Sequence, residues 1–152
     1  MKDKLRELIE SLNKLYLTYR KASLQRSQAY GLYVGQPFII NFVHNNPGCT
    51  QTDIANKLGV SSASIAFSTK RLQKAGFLMK QVNSLNMRCN KLYVTSEGQE
   101  VLHKFQNDFD EMNQQMFAGF SKEELEQLSS FAGRIYANME KITGEEKPLE
   151  EL

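Results

Sequence analysis

Apolar residues recur along this chain in two rhythms. Near the start, Leu5, Leu8, Leu12, Leu15, Tyr16 and Tyr19 fall three and four apart, which predicts a long amphipathic helix from Asp3 to about Gln28. The stretch AYGLYVGQP, with two glycines and a proline, ends it. Pro37 suits the first turn of a second helix, where its missing N–H would lack a partner anyway. That helix carries Phe38, Ile39, Ile40, Phe42 and Val43 and is apolar around most of its circumference, so it is expected to be deeply buried. NNPGC stops it.

Thr50 is a fitting N-cap for a third helix that runs to about Leu58, with Ile54, Ala55 and Leu58 inward. Gly59 suits a left-handed turn, and Val60 is expected to plug that turn. Ser61 then caps a fourth helix with Ile65, Thr69 and Leu72 on its inner side, closed by Ala75-Gly76. Two short helices across a tight glycine turn form a helix-turn-helix. Next the rhythm shortens. FLMKQV and NKLYVT read as two strands around the polar turn NSLNMRC, a small hairpin or wing. From Thr95, a fifth helix carries Val101, Leu102, Phe105, Phe109, Met112 and Met116. Ser121 to Glu124 is a capping box for the last helix. There Leu125, Leu128, Ala132, Ile135, Met139 and Ile142 alternate at three and four, as in a coiled-coil seam. The acidic end, GEEKPLEEL, is expected to fray.

Composition narrows the function classes. With 152 residues, 41% hydrophobic and 24% charged, the chain suits one globular domain with helical extensions. No apolar stretch approaches the ~18 residues of a membrane span. MKDKLRELIESL alternates charge with leucine, which predicts a helix and not a secretion signal. The two cysteines, Cys49 and Cys89, lie outside any CxxC pattern and fit a reducing cytoplasm. His44 and His103 fall in no ligand spacing, so no metal or other cofactor is expected. The absence of a nucleophile motif, phosphate loop or paired carboxylates argues against an enzyme.

Charge points elsewhere. The net +2 is unevenly spread. Between Thr50 and Thr95, seven basic residues face the single acid Asp53, a net +6, while 12 basic and 16 acidic residues elsewhere give −4. A basic middle between acidic flanks is the footprint of a polyanion-binding module. In a helix-turn-helix, the second helix enters the DNA major groove with its N-terminal end on the bases. The short hydroxyl side chains of Ser61, Ser62 and Ser64 allow close approach there. Lys70, Arg71 and Lys74 come later, where cations reach phosphates.

From Gln36 to Gly98 the sequence resembles the MarR (multiple antibiotic resistance regulator) family. The resemblance rests on Gln36, NPGCTQTDIANKLGVSSASI, RLQKAGFL, the wing and YVTSEG. Where the family's wing has Asp-x-Arg, this chain has Asn86-Met87-Arg88. Phe67 stands where many members carry a basic residue, and reads either as a contact to a thymine methyl or sugar, or as a packing residue.

The resemblance implies a mainly α fold with a small β-wing. It would comprise an N-terminal dimerisation helix (1–30), a winged helix-turn-helix lobe (34–98), C-terminal dimerisation helices (99–144) and an acidic tail (145–152). Expected DNA contacts are Thr50, Gln51, Ser61, Ser62, Ser64, Phe67, Lys70, Arg71, Lys74, Arg88 and Lys91, with Arg88 in a minor groove. Leu5, Leu8, Leu12, Leu128, Ile135, Met139 and Ile142 would form a homodimer interface. Tyr16, Tyr19, Tyr33, Phe38 and Phe42 are candidates to hold a small-molecule effector. Cys49 and Cys89 are candidates for oxidant sensing, as in some members. The implied function is a cytoplasmic dimeric regulator, most often a repressor, on a pseudo-palindromic double-stranded operator. The competing reading is a winged-helix protein-interaction module without specific DNA binding.

Overall fold

The computed structural model describes residues 1–82 and 90–144. The expected DNA contact Arg88, the candidate oxidant sensor Cys89, the Asn86 position and the acidic tail therefore lie outside the described residues. Six helices and two strands run in the order α1 (Lys2–Ala29), α2 (Gln36–Asn45), α3 (Gln51–Leu58), α4 (Ser62–Lys74), β1 (Leu78–Gln81), β2 (Lys91–Val94), α5 (Ser96–Met116) and α6 (Lys122–Thr143). The mainly helical fold with a small wing is the one expected.

The chain divides into two units, residues 1–112 and 113–152. In the first, α2 lies at the centre of the core. Its Ile39, Ile40 and Val43 are buried with Ile54 of α3, Ile65 and Leu72 of α4, Leu78 and Leu92 of the wing and Leu102 of α5. Burying such side chains is the main favourable term in folding, about 1.5–3 kcal/mol each. The expectation for α2 needs one correction: Phe38 is half exposed. It faces a cavity described below.

Local signals set the helix starts. The Thr50 hydroxyl accepts from Asp53 N at 3.2 Å, and the Asp53 carboxylate accepts from Thr50 N at 2.7 Å, a full capping box. Ser61 does the first half of this for α4, accepting from Ser64 N at 3.2 Å. Gly59, at φ +63°, makes the turn between α3 and α4. Val60 does not plug that turn. It is 45% exposed, although its backbone N–H donates to the Ala55 carbonyl at 3.2 Å.

The wing strands are antiparallel, pairing Leu78 with Val94 and Gln81 with Lys91. Each is shorter than its apolar run. The small sheet gains an edge that periodicity does not reveal. Leu92 N donates to the Cys49 carbonyl at 2.9 Å and Gly48 N to the Leu92 carbonyl at 2.8 Å, which ties the wing to the loop before α3. At the exit, Thr95 accepts from Gly98 N at 3.0 Å and donates to the Gly76 carbonyl at 2.6 Å. Gly98 is buried under the Phe77 carbonyl, and a Cβ there would lie 2.1 Å from that oxygen. That explains the glycine of YVTSEG.

In the second unit, Phe117 and Phe120 meet edge to face in the turn before α6, whose start is the Ser121–Glu124 capping box. No residue of α6 is buried.

Candidate nucleic-acid interface

Helix α4 has two contrasting faces. Ile65, Thr69 and Leu72 are at most 2% exposed and hold the helix to the core. On the opposite side, Ala63, Phe67, Lys70 and Lys74 form an exposed stripe. The 3.6-residue period produces both faces from one sequence. A cationic, sterically open stripe on the second helix of a helix-turn-helix is the surface a major groove accepts. Phe67 belongs to it at 62% exposure, so the packing reading does not stand.

The expected contact residues divide by what they already do. Thr50 spends its hydroxyl on the capping box. The Gln51 amide donates from Nε2 to Thr69 Oγ1 at 2.7 Å, and Thr69 in turn donates to the Ile65 carbonyl at 2.8 Å. Both residues are committed to joining and capping helices. Among the three serines, Ser61 and Ser64 share a bond of 2.9 Å between their hydroxyls, which also caps the helix. Ser62 is exposed with no side-chain bond of this kind among the described residues. Lys70, Lys74 and, on β2, Lys91 are exposed.

Arg71 differs from the lysines. Its guanidinium lies 3.4 Å from the centroid of the Tyr33 ring and 5.4 Å from that of Phe67. Tyr33 comes from the loop between α1 and α2, and its own N–H donates to Gln36 Oε1 at 2.9 Å. Sequence reading missed this stack, because nothing in the spacing joins positions 33 and 71.

A cavity of 190 Å³ lies between α1, α2 and α5. Tyr16, Tyr19 and Phe38 line it, and Phe105 and Phe109 of α5 complete its aromatic wall. Those two rings stack at 5.3 Å, and Tyr19 meets Phe109 edge to face at 6.1 Å. Ser23 and Ser27 present little polarity to it, since each hydroxyl donates to a carbonyl one turn back. Arg20 is the one charged lining residue. Two expected members are absent. Tyr33 is drawn away to Arg71, and Phe42 packs against the core.

Cys49 is buried, and burial, with the nearby Asp53 carboxylate, pushes its thiol above the ordinary cysteine range. That keeps it protonated and argues against a reactive sulfur. Among the described residues, no group of three His, Cys, Asp or Glu could hold a metal ion, and no helix is long and apolar enough to cross a membrane.

Residues 39–79 match the family described as winged helix-turn-helix DNA-binding. The fold is similar to that of the solved MarR family transcription regulator SP03579, with a TM-score of 0.76 over 91% of this chain and 94% of that one, at 21% identity. The transcriptional regulator SlyA follows at 0.70, with 25% identity over 88% of this chain and 94% of that one. This chain carries a winged helix-turn-helix and has the fold of the MarR family regulators. The curated relatives are HTH-type transcriptional regulators. The HTH-type transcriptional regulator YybA of Bacillus subtilis (strain 168) is 27% identical over 70% of this chain and 71% of its own. BilQ of Clostridioides difficile (strain CD3), also an HTH-type transcriptional regulator, is 27% identical over 80% of each. These relatives are named as transcription regulators, and α4 lies within the matched residues 39–79.

Proposed function

We propose that this regulator works as a homodimer, binds a pseudo-palindromic operator through two copies of α4, and represses transcription in the cytoplasm until a small molecule enters the α1–α2–α5 cavity. The observation that carries the dimer is the pair of uncovered apolar faces. Leu5, Leu8 and Leu12 on α1 are 55%, 51% and 44% exposed, and Leu128, Ile135, Met139 and Ile142 on α6 range from 43% to 75%. Rows of large apolar side chains left uncovered on a helix are expected at an interface. A twofold dimer would place its recognition helices about one DNA turn apart, which calls for an inverted repeat. A solved relative, MepR of S. aureus, has been captured with DNA, at 20% identity and a TM-score of 0.68 over 84% of this chain and 93% of that one. The effector reading rests on the cavity. Its 190 Å³ is room for about one aromatic ring, since engineered cavities of about 150 Å³ hold benzene.

Selection of bound sequences from random duplex DNA tests this reading. Recovery of an inverted repeat is the expected result, and a single half-site or no enrichment would overturn it. The exposed Phe67 and Val60 favour a second reading, a protein-interaction surface. Salt separates the two, because DNA binding weakens steeply as counterions compete and an apolar interface responds little.

A further inference from the structure

The Arg71 guanidinium is held by its faces. Tyr33 covers it at van der Waals distance and Phe67 flanks it on α4, one turn back. Among the described residues, Arg71 has no carboxylate within ion-pair range. This matters because the five N–H donors of guanidinium lie in its plane and point outward from its rim. Stacking therefore fixes the orientation of the group and leaves every donor available. A carboxylate partner would do the reverse, using up two donors and cancelling the charge.

The platform is itself fixed. Tyr33 N donates to Gln36 Oε1 at 2.9 Å, and Gln36 N donates to the Tyr33 carbonyl at 3.0 Å. Gln36 is 3% exposed, so this reciprocal pair is anchored in the core. Arg71 and Tyr33 line an open groove with Phe67 and Lys74, on the side of α4 next to its cationic stripe.

We propose that Tyr33 is a positioning residue for DNA binding: its ring holds the Arg71 side chain in one orientation, with its N–H rim turned to a phosphate. The inference rests on Arg71 contacting DNA. An arginine free in water loses rotamer freedom when it binds, and one already held loses less. Tyr33 never needs to touch the nucleic acid for this to work.

Binding of the full-length protein to a mixed-sequence DNA duplex, followed by fluorescence anisotropy over a range of salt, tests it. Tyr33→Leu keeps the apolar bulk and removes the π face; Tyr33→Phe keeps both. Tyr33→Leu should weaken binding on the order of two- to fivefold, the factor a surface cation–π contact supplies. Tyr33→Phe should bind as the wild type does. In an Arg71→Ala background, Tyr33→Leu should have no further effect. Equal losses from Tyr33→Leu with and without Arg71 would overturn the proposal, as would wild-type affinity of Tyr33→Leu beside a weakened Arg71→Ala. If Arg71→Ala itself leaves affinity and salt slope unchanged, the phosphate contact is wrong and the proposal goes with it. Thermal unfolding of each variant separates these outcomes from a loss of fold.

Discussion

The Gln51 amide donates to the buried Thr69 hydroxyl, and this one bond joins the first helix of the helix-turn-helix to the second. Thr69→Val keeps the shape and removes the bond. The Gln51 amide is only partly buried and can turn to water, so the cost should be about 1 kcal/mol, the usual net worth of a hydrogen bond. Chemical denaturation measures it. An unmoved midpoint would mean that apolar packing alone fixes the angle between α3 and α4.

The capping box of α3 makes stability depend on pH. The backbone N–H of Thr50, and then its hydroxyl, hold the Asp53 carboxyl below the ordinary carboxylate range. A depressed folded value means that the stabilisation is present above the unfolded pKa and is lost as pH falls through the folded one. With an unfolded value near 3.9, the window opens below about pH 4. The wild type should therefore be more stable than Asp53→Asn at neutral pH, and the difference should close as acid is added. Other shifted carboxyls are common to both proteins and cancel. A gap that stays constant with pH would rule out this charge as its source.

Two residues of α4, five positions apart, should behave oppositely. Leu72 is 1% exposed in the core, so Leu72→Ala should cost about 2–5 kcal/mol through lost burial and an incompletely collapsed cavity. Phe67 is mostly exposed, so Phe67→Ala should stay within about 0.5 kcal/mol. Its effect should appear in DNA affinity instead. Paired unfolding and binding curves check both, and a large stability loss at Phe67 would contradict the exposed placement.

The apolar face of α6 should behave as an interface. Ile135→Glu combined with Met139→Glu puts two charges on a surface that a second copy would cover. Neither side chain is buried in the chain itself, so each protomer should still fold. Sedimentation should give a dimer for the wild type and a monomer for the variant, with loss of tight operator binding. A wild type that remains monomeric at micromolar concentration would end the dimer reading.

The helices were largely legible because each carries its own rhythm and cap. Ile65, Thr69 and Leu72 are inward as their spacing requires, and Thr50, Ser61 and Ser121 sit where capping chemistry places them. What escaped is what periodicity cannot encode. The tie from Cys49 to Leu92 and the stack of Tyr33 on Arg71 join residues dozens of positions apart through tertiary geometry alone. Val60 misled for a related reason. An apolar residue after a turn glycine normally seeks cover, but here it stays 45% exposed, and whether a neighbour covers it depends on tertiary packing. The cavity was half visible. The α1 aromatics announced themselves by spacing, whereas Phe105 and Phe109 read as ordinary core positions of α5 until the packing of α1 against α5 was known.

Gly98 has a consequence for how this sequence can vary. Every missense change at its codon adds at least a Cβ, and the space for that atom is already taken by a backbone carbonyl at 2.1 Å and by Val94 Cγ1 at 2.8 Å. Backbone cannot step aside as a side-chain tip can. Gly133 meets nothing within 4 Å and sits inside α6, where alanine is a better helix former by about 1 kcal/mol. In a saturation library selected for folded protein, the first codon should stay empty of substitutions while the second fills. Two glycines of the same chain would then mark the extremes of its mutational tolerance, one closed by a neighbour's main chain and the other open to drift.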